Sequence, residues 1–145
     1  MKKNLATQKK LKFKCPFVTV DAIIELKNGI IVIERKNPPY GWALPGGFVE
    51  YGESLEKAVR REAREETNME LTKLCQLHTY SNPKRDPRFH TVGTVFIAKG
   101  KGKPKSGDDA RALRVVLYED LLKVHFVFDH KKIIRDYLKI RNYLK

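Results

Sequence analysis

The sequence contains little cysteine, no long apolar run and few acidic residues relative to basic ones. Its two cysteines, Cys15 and Cys75, lie far apart and lack the paired spacing of a metal site. We expect both to be free thiols in a reducing cytoplasm. No apolar run is long enough to span a membrane, and the N-terminal lysines precede no apolar signal segment. These absences predict a cytoplasmic protein with no membrane partner.

The shortage of acidic residues gives the chain a strongly positive charge. There are 30 lysines and arginines against 17 acids, so the net charge is +13. The basic residues concentrate before residue 15, over 99–105 and over 131–145. Such runs suit nucleic acid or a polyanionic small substrate. We favour a third interpretation, a solvated lysine-rich surface, because the runs lack interleaved aromatic residues that stack bases, apart from Phe13 and Phe17. Nucleic acid is therefore not an expected partner.

Length and composition indicate one globular domain. A chain of 145 residues with 41% hydrophobic residues is long enough to bury a core of its own. We expect a single domain over 1–145, with residues 1–15 forming a basic and irregular N-terminal segment. The sequence shows no internal repeat and no low-complexity segment.

The hydrophobic pattern predicts a mixed α/β architecture. Alternating and β-branched stretches predict strands over 17–26, 30–34, 42–44, 48–50, 71–81, 89–98 and 112–117. Asn28-Gly29 is a strong hairpin turn between the first two. Helices are predicted over 55–67 and 128–144, the second with Asp129 as its N-cap, and a turn or short helix over 119–122. One helix in mid-chain and one at the end predict an α/β/α sandwich around a mixed sheet.

Acidic residues interrupt the apolar face of the first predicted helix. Advancing about 100° per residue from Ser54, the expected N-cap, places Glu62 and Glu66 in the middle of that face and Glu65 at its edge. The apolar members of the face are Leu55, Ala58, Val59 and Ala63. Carboxylates in line with core residues are costly unless a positive charge meets them. We therefore expect these acids to converge on a site for hard divalent cations.

The spacing of these residues resembles the Nudix box, G-x5-E-x7-R-E-U-x-E-E-x-G-U, where U is aliphatic. The matching residues are Gly47, Glu53, Arg61, Glu62, Ala63, Glu65, Glu66 and Met69. Asn68 replaces the usual glycine, and we expect it to end the helix in the left-handed conformation that asparagine tolerates. The alternative interpretation is an ordinary amphipathic helix with solvated glutamates, which the apolar position of the acids disfavours.

The resemblance implies a Nudix-type sandwich and a divalent-metal site. It implies Mg²⁺, with Mn²⁺ as a possible substitute, held by Glu62, Glu65, Glu66 and the Gly46 carbonyl. Hydrolysis of a phosphoanhydride needs such cations on the phosphate oxygens and an aligned water. The resemblance gives Arg61 an orienting role through acids such as Glu53.

The general base stays open among several acids. Glu53 ligates metal, acts as base or braces its loop in different members of the family. In ADP-ribose pyrophosphatases the base often lies on the loop after the long strand, where Asp108 and Asp109 stand here. Relatives frequently have a glutamate a few residues further on, and Ala112 occupies that position. The candidates are therefore Asp108, Asp109, Glu53 or a box glutamate such as Glu65.

Over roughly residues 16 to 138 the chain resembles the prokaryotic ADP-ribose pyrophosphatase branch, notably at 19–24, 42–53, 80–90, 107–110 and 128–130. This implies hydrolysis of ADP-ribose to AMP and ribose 5-phosphate. Nucleoside triphosphate pyrophosphohydrolase and diadenosine polyphosphate hydrolase are alternatives, and so is a non-catalytic nucleotide- or RNA-binding module. Relatives are often homodimers, so we expect one here.

The substrate pocket is expected to combine arginines with aromatic residues. Guanidinium groups suit phosphate, aromatic rings suit adenine, and a glycine lets the backbone approach closely. The candidates are Arg35, Arg85 and Arg88 for phosphate, Tyr40, Trp42 and Tyr80 for adenine, and Gly47 for close approach. Solvated loop charge is the alternative for the arginines, and a core position is the alternative for Trp42.

Overall fold

The computed structural model describes residues 13–107 and 110–144. Most of the predicted basic segment 1–15 therefore lies outside the described residues. Within them the elements are β1 (Phe17–Glu25), β2 (Gly29–Arg35), β3 (Trp42–Ala43), β4 (Gly46–Phe48), α1 (Leu55–Thr67), β5 (Glu70–Tyr80), β6 (Thr91–Lys101), β7 (Ala110–Leu117), a 3-10 helix (Tyr118–Lys123) and α2 (His130–Tyr143).

The strands form a mixed sheet that opens on one side of β1. Strand β1 runs parallel to β6 along its whole length, whereas the other pairings are antiparallel. On its other edge β1 pairs with β2 only beside the hairpin, at Glu25 and Ile30. Further along, β4 replaces β2 as its neighbour, with Thr19 opposite Phe48. Strands β1 and β2 therefore diverge, and the chain between β3 and β4 crosses from one to the other.

Two hydrophobic clusters lie on opposite faces of this sheet. Successive strand residues point to opposite faces, and Ile23 and Ile24 accordingly join different clusters. The first cluster includes Ile133 and Ile134 of α2, and the second includes Val59 of α1. One helix thus covers each face, which confirms the predicted α/β/α sandwich.

The ends of α1 follow the sequence expectations. The Ser54 hydroxyl accepts a hydrogen bond from the Lys57 amide at 3.2 Å. Asn68 has a φ of 60°, in the left-handed region, and its amide donates to the Arg64 carbonyl. Both caps satisfy backbone groups that would otherwise lack partners at the helix ends. They set where α1 begins and ends, while the packing of Ala58, Val59 and Ala63 against the sheet sets which side of the helix faces the core.

Several predicted boundaries need correction. Strand β6 extends to Lys101 and β7 begins at Ala110, both longer than predicted, because the two strands continue their pairing with β5 and β2. Asp129 is the N-cap residue of α2, but its carboxylate makes no bond to the helix amides. It binds the Arg85 guanidinium through both oxygens instead. A bidentate charged pair is stronger than a cap bond.

The structure also tests the predictions about the two cysteines and about membrane-spanning segments. Cys15 and Cys75 are both exposed and form no disulfide. No helix in the part of the chain that the structure describes is long and apolar enough to cross a membrane.

Candidate active site

A cleft of about 600 Å³ lies where β1 and β2 diverge. It receives side chains from both strands, from the turn before β4, from α1 and from the loops before β6 and α2. The predicted site residues that line it are Arg35, Gly46, Gly47, Arg61, Glu62, Glu65, Glu66, Arg85 and Arg88. The fold therefore brings the box acids and the candidate phosphate-binding arginines into one cavity.

The glycine turn, formed by Pro45 with Gly46 and Gly47 at the start of β4, lies directly against α1. The Gly46 amide donates to the Glu66 carboxylate at 3.1 Å. A Cβ atom at Gly46 would overlap the Val20 carbonyl, and one at Gly47 would overlap the Glu62 carboxylate. Gly46 therefore needs glycine because backbone lies against it, whereas at Gly47 a side-chain end would have to move. The turn backbone is held beside two box acids.

Replacing Gly47 by alanine is expected to displace the Glu62 carboxylate. That carboxylate is the end of a side chain, so it moves at less cost than backbone, and the fold should survive. We expect turnover to fall about 100-fold, since misplacement of a catalytic group by about 1 Å costs that much. Steady-state kinetics with circular dichroism would check this. Gly52 offers a control for the substitution, because a Cβ there meets no atom within 4 Å, although its φ of 84° adds backbone strain. If G47A retained full turnover, Glu62 would not need its observed position.

Arg61 connects the box glutamates to one another. Its Nε and Nη2 donate to the two oxygens of Glu53 at 2.8 and 2.9 Å. Its Nη1 donates to Glu62 at 2.8 Å and to Glu65 at 3.3 Å, while Nη2 also reaches the Phe48 carbonyl. The hydrogen bonds to Glu53 raise the pKa of Arg61 further above its usual value. The side chain thus joins α1 to the loop before it and to β4.

Three carboxyl groups of the cleft have raised pKa values, although Arg61 binds one of them and Arg85 lies 4.0 Å from another. Burial, followed by the charges of Glu62 and Asp21, raises the pKa of Glu66 well above its usual value. Burial likewise raises the pKa of Glu62, despite its bond to Arg61, and raises the pKa of Asp21 to about 7. Their mutual repulsion is the condition that a bound cation relieves.

The acidic side chains of the cleft are not arranged around a common point as metal ligands would be. Among residues 13–107 and 110–144 no group of three or more His, Cys, Asp or Glu side chains is arranged to hold a metal ion. Here Arg61 binds Glu62 and Glu65 and the Gly46 amide binds Glu66, so the joint binding of a cation by these three glutamates stays a prediction. The donor set fits a hard divalent cation, since it offers carboxylate oxygens one helical turn apart beside the Gly46 backbone.

The raised pKa of Glu66 predicts a pH-dependent stability of the metal-free protein. The folded state retains the Glu66 proton above pH 4.5, the usual value at which the unfolded chain loses it. The folded state then binds more protons, so the free energy of unfolding decreases as pH rises. Glu66→Gln removes the ionisable group and therefore removes this decrease in the free energy of unfolding. In chelator, we expect the melting temperature of E66Q relative to wild type to increase from about pH 4 to about pH 8. Exposed Glu56 on the same helix gives the control E56Q, for which no such trend is expected. A pH-independent difference for E66Q would contradict the prediction.

Sequence reasoning missed Asp21 and His130 as cleft residues. Both are buried, and His130 Nε2 lies 3.6 Å from an Asp21 oxygen. Burial and two arginines, Arg85 and Arg35, lower the pKa of His130 to about 3. A lone aspartate within an alternating apolar strand was the signal available for Asp21. Nothing in the sequence pattern separates His130 from an ordinary first residue of a helix.

The three candidate arginines differ in how they are held. Arg35 donates to the Pro39 carbonyl at 3.0 Å and stacks on Phe128, with its guanidinium 5.0 Å from the ring centroid. Arg88 pairs with Asp86 and lies 5.3 Å from the same ring. Both line the cleft, so both stay candidates for phosphate.

Arg85 is buried and engaged within the protein. Its Nε and Nη2 donate to Asp129 at 3.0 and 2.9 Å, and its Nη1 donates to the Thr91 hydroxyl at 2.8 Å. The alternative of solvated loop charge is therefore wrong for Arg85, which is only 8% exposed. These bonds also oppose the predicted phosphate contact, since a substrate would have to replace one of them.

The three predicted adenine-stacking residues do not line the described cleft. Tyr40 is 64% exposed, and Trp42 packs against the core cluster beneath α2 with the Arg114 guanidinium 4.3 Å from its ring. Tyr80 is buried in that cluster and donates its hydroxyl to Asp136. Strand alternation turns Trp42 and Tyr80 toward α2. Phe128, which sequence reasoning did not assign, is an aromatic residue that does line the cleft.

The predicted bases Asp108 and Asp109 lie outside the described residues. The loop before them is bound to the end of α1: the Lys105 amide donates to the Thr67 carbonyl at 2.9 Å, and the Gly107 amide donates to the Glu66 carbonyl at 3.0 Å. Ala112 lies in β7 opposite Glu34.

Comparison with known proteins identifies the family. The NUDIX domain model matches residues 16–137. The chain belongs to the Nudix family. It is 47% identical over 130 residues to the ADP-ribose pyrophosphatase of Methanocaldococcus jannaschii, covering 88% of this chain and 76% of that protein.

Two other similar proteins have names that state different functions. The ADPR responsive transcriptional repressor NtrR of Acinetobacter baylyi is 33% identical, with 90% of this chain and 56% of that protein covered. A bifunctional NMN adenylyltransferase/ADP ribose pyrophosphatase from Francisella tularensis, solved with AMP and a Mn ion, superposes with a TM-score of 0.80 at 32% identity. That match covers 94% of this chain and 44% of the Francisella chain. The chain thus spans about half the length of each of these two.

Proposed function

We propose that this protein hydrolyses the pyrophosphate bond of ADP-ribose to give AMP and ribose 5-phosphate. The observation that carries the proposal is one cleft in which half-buried, mutually repelling glutamates face the same cavity as Arg35 and Arg88. The acids suit a divalent cation on phosphate oxygens, and the arginines suit the phosphates themselves. The 47% identity to an ADP-ribose pyrophosphatase supports the same substrate.

The metal in this proposal is Mg²⁺, with Mn²⁺ as a substitute. Glu62, Glu65, Glu66 and the Gly46 carbonyl would hold it. When bound, such an ion polarises phosphate oxygens and makes water a stronger nucleophile. Arg61 positions the glutamates through the bonds described above.

The assignment of the general base narrows when the contacts are considered. Both Glu53 oxygens accept from Arg61, which lowers the Glu53 pKa, and Glu53 is not among the residues that line the cleft. A low pKa and no access to substrate disfavour a base, so we assign Glu53 to bracing Arg61. Asp108, Asp109 and the exposed Glu65 stay candidates, and the loop bonded to α1 leads to the two aspartates.

A second candidate function is ligand sensing without hydrolysis. The 33% identity to an ADPR responsive repressor favours it. The retained box glutamates and Arg61 favour hydrolysis.

Three further expectations belong to the proposal. The protein is expected in the cytoplasm, as a single domain over 1–145 and as a homodimer.

The deciding experiment measures hydrolysis of ADP-ribose, dGTP, 8-oxo-dGTP and diadenosine tetraphosphate with Mg²⁺, and identifies the products by chromatography. AMP and ribose 5-phosphate formed from ADP-ribose well above the other reactions would support the proposal. Preference for a triphosphate, with release of pyrophosphate, would keep the metal site and overturn the substrate. Calorimetric binding of ADP-ribose without turnover would favour the sensing function, and E66Q measured beside wild type would exclude a contaminating hydrolase.

A further inference from the structure

We propose that His130 is a positioning residue, which holds the turn at Pro45, Gly46 and Gly47 against α1 through the Leu44 amide. The turn carries the Gly46 backbone to the box acids, so its position sets the geometry of the metal site. The kinetic part of this inference rests on the proposed function, whereas its structural part does not.

The contact between His130 and Leu44 is buried and directional. The Leu44 amide donates to His130 Nδ1 at 3.0 Å, across 86 positions of sequence. Nδ1 must then be unprotonated, which places the ring proton of the neutral histidine on Nε2. Nε2 faces an Asp21 oxygen at 3.6 Å. The lowered pKa of His130 agrees with a neutral ring that serves as an acceptor.

Leu44 is the point at which the backbone changes partner strands. Trp42 and Ala43, just before it, pair with β2. Just after it, the Pro45 carbonyl accepts from the Ala22 amide of β1 at 2.8 Å, and β4 continues along β1. A buried amide at such a crossing has no strand partner, and leaving it unpaired would destabilise this path of the backbone. The His130 ring supplies the missing acceptor from α2.

The contacts of the preceding residue hold His130 in its position. Asp129, the residue before it, is bound by Arg85 through both oxygens. The same guanidinium lies 4.0 Å from Asp21. The start of α2, strand β1 and the glycine turn are therefore joined through a buried set of charged and polar side chains. This arrangement accounts for the burial of Arg85, which the substrate-binding prediction did not.

Two substitutions at His130 distinguish the contribution of its hydrogen-bond acceptor from the contribution of its size. His130→Leu removes the acceptor, whereas an asparagine oxygen can take the place of Nδ1, so His130→Asn should restore part of the function. His125 is exposed, and H125L provides the matched control. The readouts are hydrogen exchange of the Leu44 amide, Mn²⁺ affinity by electron paramagnetic resonance, and kcat and KM for ADP-ribose.

We expect H130L to lose Leu44 protection, to bind Mn²⁺ more weakly and to lower kcat about 100-fold with KM changed less than about threefold. H130N should recover at least part of the protection and of kcat, and H125L should match wild type. Wild-type protection of Leu44 and wild-type Mn²⁺ affinity in folded H130L would overturn the proposal. Equal loss in H130L and H130N, in proportion to their unfolded fractions, would also overturn it by showing a merely structural role. If the wild type does not hydrolyse ADP-ribose, exchange and Mn²⁺ binding still decide the structural part.

Discussion

Replacing Glu66 by glutamine should lower kcat for ADP-ribose by about 1,000-fold or more while leaving the fold intact. A carboxylate on a catalytic cation contributes several kcal/mol, and each 1.4 kcal/mol is about a factor of ten in rate. The amide of glutamine has nearly the shape of the carboxyl group and can still accept from the Gly46 amide through its oxygen. The turn should therefore stay in place, and the loss should report the charge. Steady-state kinetics with Mg²⁺ and with Mn²⁺ would measure it.

The matched control for this experiment is Glu56→Gln on the same helix. Glu56 is exposed in the first turn of α1 and is not among the cleft residues. We expect E56Q to have wild-type kcat. Near-normal turnover in E66Q would remove Glu66 from the metal site and would leave its burial unexplained. A fall in kcat with unchanged Mn²⁺ affinity would instead place Glu66 on the attacking water.

Arg61→Lys is expected to produce the second largest effect. Arg61 makes five hydrogen bonds, to Glu53, Glu62, Glu65 and the Phe48 carbonyl. A lysine keeps the charge but cannot form the bidentate pair or bind acceptor atoms on four residues at once. We expect kcat to fall about 100-fold and the free energy of unfolding to fall by about 1–3 kcal/mol. Urea denaturation and steady-state kinetics would check both.

Arg64→Lys on the same helix controls for the substitution itself. Arg64 is exposed and pairs with exposed Glu70, so a change there is worth less than about 1 kcal/mol. Only R61K should alter Mn²⁺ affinity, because only Arg61 holds box glutamates. Unchanged kcat in R61K would show that charge alone, and not the fork geometry, positions Glu62 and Glu65.

The ends of α1 could be predicted because neighbouring residues determine them: Ser54 and Asn68 end the helix by contacts within one turn. A hairpin between the first two strands was also expected, but the prediction of Asn28-Gly29 as its turn is wrong. Leu26 bonds to Gly29, which already belongs to β2, so the turn residues are Lys27 and Asn28. The fixed spacing of Glu62 and Glu66 on one helix face needs only the helical repeat. The order of strands and helices along the sequence also predicted correctly that a helix covers each face of the sheet.

The substrate side of the site could not be predicted with the same success. Trp42 and Tyr80 are aromatic and stand in segments that resemble the family, but the strands turn both toward α2. Arg85 has the right chemistry for phosphate, but Asp129 and Thr91 occupy its donors. In each case the deciding partner lies far away in the sequence, so no local pattern reports it.

The sequence by itself determined the helix with its caps, the sandwich order and the spacing of the box acids, because these depend on short-range geometry and periodicity. The tertiary structure decided which charged and polar groups meet. It placed Asp21 beside Glu62 and Glu66, gave Arg61 to three glutamates, and set His130 under the crossing at Leu44. Electrostatic and hydrogen-bond energies depend on distance and burial, and only the folded chain fixes those.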